Sequence, residues 1–143
     1  MSLWHDPDSL PALPSPAPPG TLARHLDIVF VQRDEHGAVA TMPVDERTRQ
    51  PAGLLHGGAS VALAETVMSA AASWTVDRTR FQVVGLEINA NHLRAVRTGR
   101  VTATARPVHR GRSTQVWACE IRDEQGALVC TSRMTVSVLE RRP

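Results

Sequence analysis

The sequence predicts an α+β domain in which one long helix is covered by a curved, mainly antiparallel sheet of about five to six strands. Three observations lead there. Only one long segment, 57–74, is rich in alanine and free of proline. Two strand-like stretches precede it and four follow, with hairpin turns at Asp34-Glu35-His36-Gly37 and Asp123-Glu124-Gln125-Gly126. Runs of consecutive strands pair antiparallel, and the lone helix then has to cover one sheet face.

Taken in order, residues 1–20 carry six prolines and end in Pro18-Pro19-Gly20. That composition is not expected to build a core, so the segment reads as an extended or partly docked tail ahead of a single domain over 21–143. A strand is expected over 26–33 and its hairpin partner as far as 44, with Gly37 where the turn needs a left-handed backbone. Residues 45–55 are polar, contain Pro51 and Gly53, and read as a loop. In the 57–74 helix, small residues such as Ala59, Ser60, Ala64, Ala71 and Ser73 allow a curved sheet to approach closely. Strands are expected over 82–89, 100–106, 114–122 and 127–138. In the second of these, Val101, Ala103 and Ala105 alternate with Thr102, Thr104 and Arg106, as in a sheet with one buried face. The Asp123–Gly126 turn would set Cys119 and Cys130 nearly opposite each other, as buried thiols.

Composition narrows the class. With 42% apolar and 21% charged residues the chain matches ordinary globular domains, which argues against disorder. The longest weakly polar run, 57–76, contains Glu65 and several Ser and Thr, so it reads as a buried helix and not a membrane span. The N-terminus shows no basic patch followed by an apolar stretch, and there are only two cysteines, so a cytoplasmic location is expected. A net charge of +2 with 3% aromatic residues does not fit a nucleic-acid protein. Every one of the 16 basic residues is Arg, and six of them (Arg94, Arg97, Arg100, Arg106, Arg110, Arg112) fall between Glu87 and Glu120, where there is no acid. Such a stretch is either solvated surface or a local anion site.

Glu65 is the only ionisable residue between Gly57 and Val76. On a helix that is small or apolar all round, its carboxylate must be paired with an arginine, neutral, or beside a wet cleft. Ser69, four residues on, shares its face, and the two could hold a water between them. His56-Gly57-Gly58 stands where the loop enters the helix. It is either a plain glycine-rich loop or a place where a ligand meets backbone N–H groups that have no helical partner. Such N–H groups can polarise a carbonyl oxygen that gains charge during acyl transfer. His5, His25 and His36 lack ligand-like spacing with each other or with either cysteine, so no metal is expected.

Together, Gln50-Pro51-x-Gly53-Leu54-Leu55-His56-Gly57-Gly58, Ala64-Glu65-Thr66 and Ser69 resemble the signature of the hotdog-fold thioesterases. So do Val84-Gly85-x-Glu87-Ile88-Asn89-Ala90-Asn91-His92 and His109-Arg110-Gly111-Arg112. The branch resembled contains the phenylacetate-pathway, hydroxybenzoyl-CoA and dihydroxynaphthoyl-CoA enzymes, and the likeness is especially close to aryl-carrier proofreading thioesterases of siderophore synthesis. It runs from about Leu26 to Val138. The resemblance implies a hydrolase for an acyl-CoA or acyl-carrier thioester, with an aromatic acyl group and no cofactor beyond the coenzyme A of the substrate. It implies Glu65 as nucleophile or general base and the Gly57 N–H as carbonyl donor. His56 and Gln50 would position the reacting group, and Ser69 would orient water. His92 would contact a ring hydroxyl, with Gly58 and Met68 also against the acyl group. Arg110, Gly111 and Arg112 would lie near the CoA phosphates, with Gly85, Leu93, Arg94, His109 and Ser113 along the rest of CoA. It also implies a homodimer that shares its sites, with Glu65 facing the Gln50–His56–Gly57 loop of the partner subunit, and pairing of dimers into a homotetramer. An acyl-CoA-sensing module and a hotdog dehydratase or hydratase are the alternatives on the same fold.

Overall fold

The computed structural model describes residues 2–143. A 3-10 turn, Pro7–Ser9, is followed by strand β1 (Ser15–Pro16) and a single-turn helix α1 (Leu22–His25). Next come β2 (Val29–Asp34), β3 (Gly37–Pro43) and the long helix α2 (Gly57–Trp74). Four strands complete the chain: β4 (Phe81–His92), β5 (Arg100–Arg110), β6 (Thr114–Arg122) and β7 (Leu128–Glu140). They form one antiparallel sheet in the order β1-β2-β3-β5-β6-β7-β4, with α2 against one face. This is the hotdog arrangement. The sheet has seven strands, slightly more than expected; the additional one is β1, contributed by the proline-rich segment.

That segment does reach the core, against the compositional argument. Leu3, Trp4 and Leu10 are buried, and Trp4 meets Trp74 edge-on at 6.0 Å between ring centroids. Phe30 packs on the same indole at 5.0 Å, and the Arg33 guanidinium lies 5.4 Å above it. The His5 N–H donates to the Trp74 carbonyl at 2.9 Å, so the segment caps the open end of α2. Prolines leave this stretch few donors of its own, and its large side chains are what hold it down.

The register of β5 follows the alternation in its sequence: Val101, Ala103 and Ala105 are buried, whereas Thr102 and Thr104 are only partly covered and Arg106 is exposed. Gly37 has the positive backbone angle expected of it, φ 158°, and a Cβ there would also overlap the Ala105 carbonyl oxygen of β5. The β6–β7 turn does need a left-handed residue, at Gly126 with φ 81°. Both cysteines are free and buried, but they are not opposite one another. Cys119 pairs with Ser132 and Cys130 with Ile121. The turn closes with the Asp123 N–H on the Ala127 carbonyl, and a register shift between Ile121 and Arg122 moves the partner further along. Burial pushes the Cys119 thiol up to about 12.

Helix α2 is covered on one side only. Ala59, Ser60, Leu63, Ala64, Val67, Met68, Ala71 and Ala72 face the sheet, while Glu65 is exposed. The expectation of a helix buried on every side, with Glu65 enclosed, is therefore corrected for the single chain. Strand β4 pairs only with β7, so its other edge is open, and Val84 (43%) and Leu86 (63%) stand exposed along it. No helix among the described residues is long and apolar enough to cross a membrane.

Candidate active site

The loop before α2 is held by a buried threonine. The Thr48 hydroxyl donates to the Pro43 carbonyl at 2.9 Å and accepts from the Asp45 N–H at 3.1 Å. The Thr48 carbonyl accepts the His56 N–H at 2.7 Å, and Leu55 N–H reaches the Val96 carbonyl at 2.7 Å. These bonds deliver His56 to the N-cap of α2, where its Nδ1 accepts the Gly58 N–H at 2.7 Å. An Nδ1 that accepts carries no proton, so the neutral ring bears its hydrogen on Nε2. Gln50 is oriented similarly. Its Oε1 accepts the Ala52 N–H, which leaves the amide NH2 as the free donor.

The Ala59 and Ser60 N–H groups both bond the His56 carbonyl, at 3.0 and 3.1 Å, and Gly58 N–H goes to the His56 ring. Gly57 N–H donates to no acceptor among the described residues. It is an open donor at the positive end of an 18-residue helix. A Cβ at Gly57 would lie 2.9 Å from His92 Nε2, so the strand-β4 histidine sits directly against this backbone. Gln50, Gly57, His92, Leu93 and Arg94 line one cleft of about 390 Å³, floored by Leu54, Leu55 and Val129. Ser60, nearly fully buried, also lines it. Ser60 was not singled out from the sequence, because one serine in a small-residue helix carries no distinguishing signal.

Glu65 lies elsewhere. Eight residues separate it from Gly57, which at helical rise is about 12 Å along the axis. Its Oε1 is 3.5 Å from where a Gly85 Cβ would be, so Gly85 leaves space for the carboxylate beside β4. Glu65 takes part in no ion pair among the described residues. Ser69 is not bonded to it; the hydroxyl instead donates to Met134 Sδ at 3.7 Å, a weak acceptor. Met68 is fully buried and lines none of these cavities, so its expected contact with an acyl group has no surface to occur on in the single chain.

Arg110, Gly111 and Arg112 fall at a third place, the far end of α2, around a cavity of about 380 Å³. His109 packs over Gly111, whose added Cβ would meet its Nε2 at 2.7 Å. Ser113 is exposed and does not line this cavity; its carbonyl accepts the Val138 N–H at 2.9 Å. The same cavity is lined by His5 and Arg80. Neither was singled out from the sequence: Arg80 lies outside the acid-free stretch, and His5 belongs to the segment read as a tail.

The model of the thioesterase superfamily matches residues 52–130 of the chain. The 1,4-dihydroxy-2-naphthoyl-CoA hydrolase of Escherichia coli is 51% identical over 120 residues, covering 84% of this chain and 88% of that protein. The proofreading thioesterase EntH of Cronobacter sakazakii is also 51% identical over 120 residues, covering 84% and 87%. Among solved structures, a variant of a Pseudomonas aeruginosa thioesterase superposes with a TM-score of 0.84 at 47% identity, covering 85% of this chain and 88% of that one.

Proposed function

The chain belongs to the thioesterase superfamily and is a thioester hydrolase; from that premise we propose that it cleaves aromatic acyl thioesters at a site built between two subunits, with Glu65 as the reacting carboxylate. One observation carries the reading. Among the described residues neither the Glu65 carboxylate nor the Gly57 N–H has a partner, yet about 12 Å of helix keeps them apart within one chain. A two-fold pair solves this. The open edge of β4, with Val84 and Leu86 exposed, offers a self-complementary surface. Antiparallel pairing there sets the two helices in opposite directions and brings Glu65 toward Gly57 of the partner subunit. Two such dimers then associate as a tetramer.

In that arrangement the Gly57 N–H takes the thioester oxygen, aided by the helix dipole as negative charge develops. The His56 Nε2–H and the free Gln50 amide steer the acyl group, and His92 meets a hydroxyl on its ring. Glu65 acts by one of two routes. As a general base it takes a proton from water while the water oxygen bonds to the carbonyl carbon; the C–S bond then breaks and the proton passes to the departing thiolate. As a nucleophile it bonds to the carbon itself and expels the thiolate, and water then hydrolyses the resulting anhydride. Ser69 turns from its weak thioether acceptor to orient the water in either route. Arg110 and Arg112 hold CoA phosphates through the paired donors of their guanidinium groups. The distance suits this: nine residues of helix, about 14 Å, lie between Glu65 and that end of α2, comparable to an extended pantetheine arm. The two free thiols suit a reducing cytoplasm.

Following thiol release from a panel of aryl- and alkyl-CoA thioesters tests the reading. Aryl substrates are expected to give the higher kcat/KM. Equal or better rates with alkyl chains would refute the aromatic preference, and a protein that sediments as an active monomer would refute the shared site.

A further inference from the structure

We propose that Glu124, in the β6–β7 turn, is a positioning residue for the candidate active site. Its carboxylate fixes the β4–β5 loop, and that loop fixes both ends of the segment that carries Gln50, His56 and Gly57. This rests on the thioesterase reading above and deepens it by adding a residue that acts on the reaction without touching substrate.

The β4–β5 loop, residues 93–99, has little of its own to hold it. Val96 is its one buried side chain, and the rest of the loop is exposed. Its place is therefore set by backbone bonds. At one end the Leu93 and Arg94 N–H groups donate to the Val129 carbonyl, at 2.8 and 3.3 Å. At the other end the N–H of Arg100, the first residue of β5, donates to Glu124 Oε1 at 3.0 Å. Among the described residues no other side chain bonds this stretch of backbone. Gly99 makes the approach possible. Its φ is 81°, and an added Cβ would lie 2.9 Å from Cδ and from both carboxylate oxygens of Glu124, so the carboxylate rests directly on the glycine.

What this loop holds is the segment ahead of α2. The Gly99 carbonyl accepts the Val44 N–H at 2.8 Å, and the Val96 carbonyl accepts the Leu55 N–H at 2.7 Å. Val44 and Leu55 bracket the stretch that contains Gln50 and delivers His56 and Gly57 to the start of α2. The β4–β5 loop also supplies Leu93, Arg94 and Ala95 to the wall of the cleft. Glu124 itself does not line that cleft; it borders a separate cavity of about 200 Å³ with Arg97 and Thr98. Its influence on the reacting carbonyl runs through backbone alone.

The β6–β7 turn does not need the Glu124 side chain for its own closure, because Asp123 supplies it. The Asp123 N–H donates to the Ala127 carbonyl and the Asp123 carbonyl accepts the Gly126 N–H, each at 3.0 Å. Asp123 Oδ1 accepts the N–H groups of Gln125 and Ala127, at 3.0 and 2.9 Å. The Glu124 carboxylate is thus free to reach the neighbouring loop, and an ionised acceptor on a backbone N–H makes one of the stronger hydrogen bonds. The competing account is that Glu124 ties two surface loops together and adds stability but nothing to the rate.

Glu124→Ala and Glu124→Gln separate the two accounts, since the glutamine keeps an oxygen that can accept the same N–H. In Glu124→Ala, kcat for an aryl-CoA thioester is expected to fall about tenfold with little change in KM, less than the roughly 10²-fold cost of a full 1 Å misplacement. Glu124→Gln is expected to recover most of that loss. Amide hydrogen exchange at Val44 and Leu55, followed by NMR, reads the link without catalysis. It should quicken about fivefold in Glu124→Ala, the scale of one lost hydrogen bond, and stay near the wild-type rate in Glu124→Gln. An unchanged kcat with only a lowered denaturation midpoint, unmoved exchange at Leu55, or no recovery in Glu124→Gln would each overturn the proposal. Quickened exchange and a lowered kcat in Glu124→Ala, beside a fully active Gly57→Ala, would instead refute the role given to the Gly57 N–H and leave the link from Glu124 standing.

Discussion

Replacing Gly57 by alanine separates fold from catalysis more cleanly than removing the carboxylate. Gly57 opens α2 with an ordinary backbone angle, so alanine is conformationally acceptable and a better helix former, by up to about 1 kcal/mol in a helix interior. The added Cβ would meet His92 Nε2 at 2.9 Å and the neighbouring ring carbons at 3.2 Å. Those atoms are the tip of an exposed side chain, which can swing away for roughly 0.5–1.5 kcal/mol even if pushed off its rotamer. The two terms nearly cancel, so stability should change by no more than about 1 kcal/mol. Activity should not survive equally well. The methyl group sits where the thioester has to approach the N–H, and the displaced His92 no longer lines the acyl site. A misplacement of about 1 Å at a reacting centre costs on the order of 10²-fold. Urea unfolding and thiol-release kinetics on the same preparation measure both quantities. A Gly57→Ala protein that keeps its denaturation midpoint and also keeps kcat/KM within a factor of about three would refute the assignment of this N–H to the reacting carbonyl.

Glu65→Gln should abolish nearly all hydrolysis, by roughly 10²-fold or more, with an unchanged circular dichroism spectrum; more than about a tenth of wild-type turnover would exclude Glu65 as the reacting group. Ser69→Ala should be milder, since only a hydrogen bond worth about 1 kcal/mol is at stake, and a loss equal to that of Glu65→Gln would point to a serine nucleophile. Arg110→Ala/Arg112→Ala should raise KM for an acyl-CoA with little change in kcat, and its KM should depend less on salt than that of the wild type; an unchanged KM would discard the phosphate contact. The Cys119 thiol, held protonated up to about 12 in the fold against an ordinary 9.0, adds stability that is complete below the unfolded value and is lost as pH rises from there through 12. Denaturation midpoints should therefore decline above about pH 9, and less steeply in Cys119→Ala; equal slopes would show that other groups govern the alkaline limb.

Much of this was legible in one dimension. The helix over Gly57–Trp74 and the alternation in β5 are local patterns, set by side-chain size and by the two periodicities of helix and strand. The His56-Gly57-Gly58 and Glu65 candidates likewise stand out locally, because a carboxylate and a glycine pair are rare in such surroundings. Tertiary structure decided what depends on residues distant in sequence. Charge patterning marked Arg110 and Arg112 but could not see Arg80, whose carbonyl accepts the N–H of Arg141 just past β7, or His5, which joins them because the N-terminal segment docks Trp4 on Trp74 and crosses the end of α2. Proline content described that segment's stiffness and said nothing of the apolar surface awaiting its large side chains. The Cys119 and Cys130 partners turned on one register shift, which no pattern of alternation announces. Glu65, read from its helix as enclosed, proved exposed because burial belongs to whatever packs from outside the helix, and in a single chain the sheet reaches only one side.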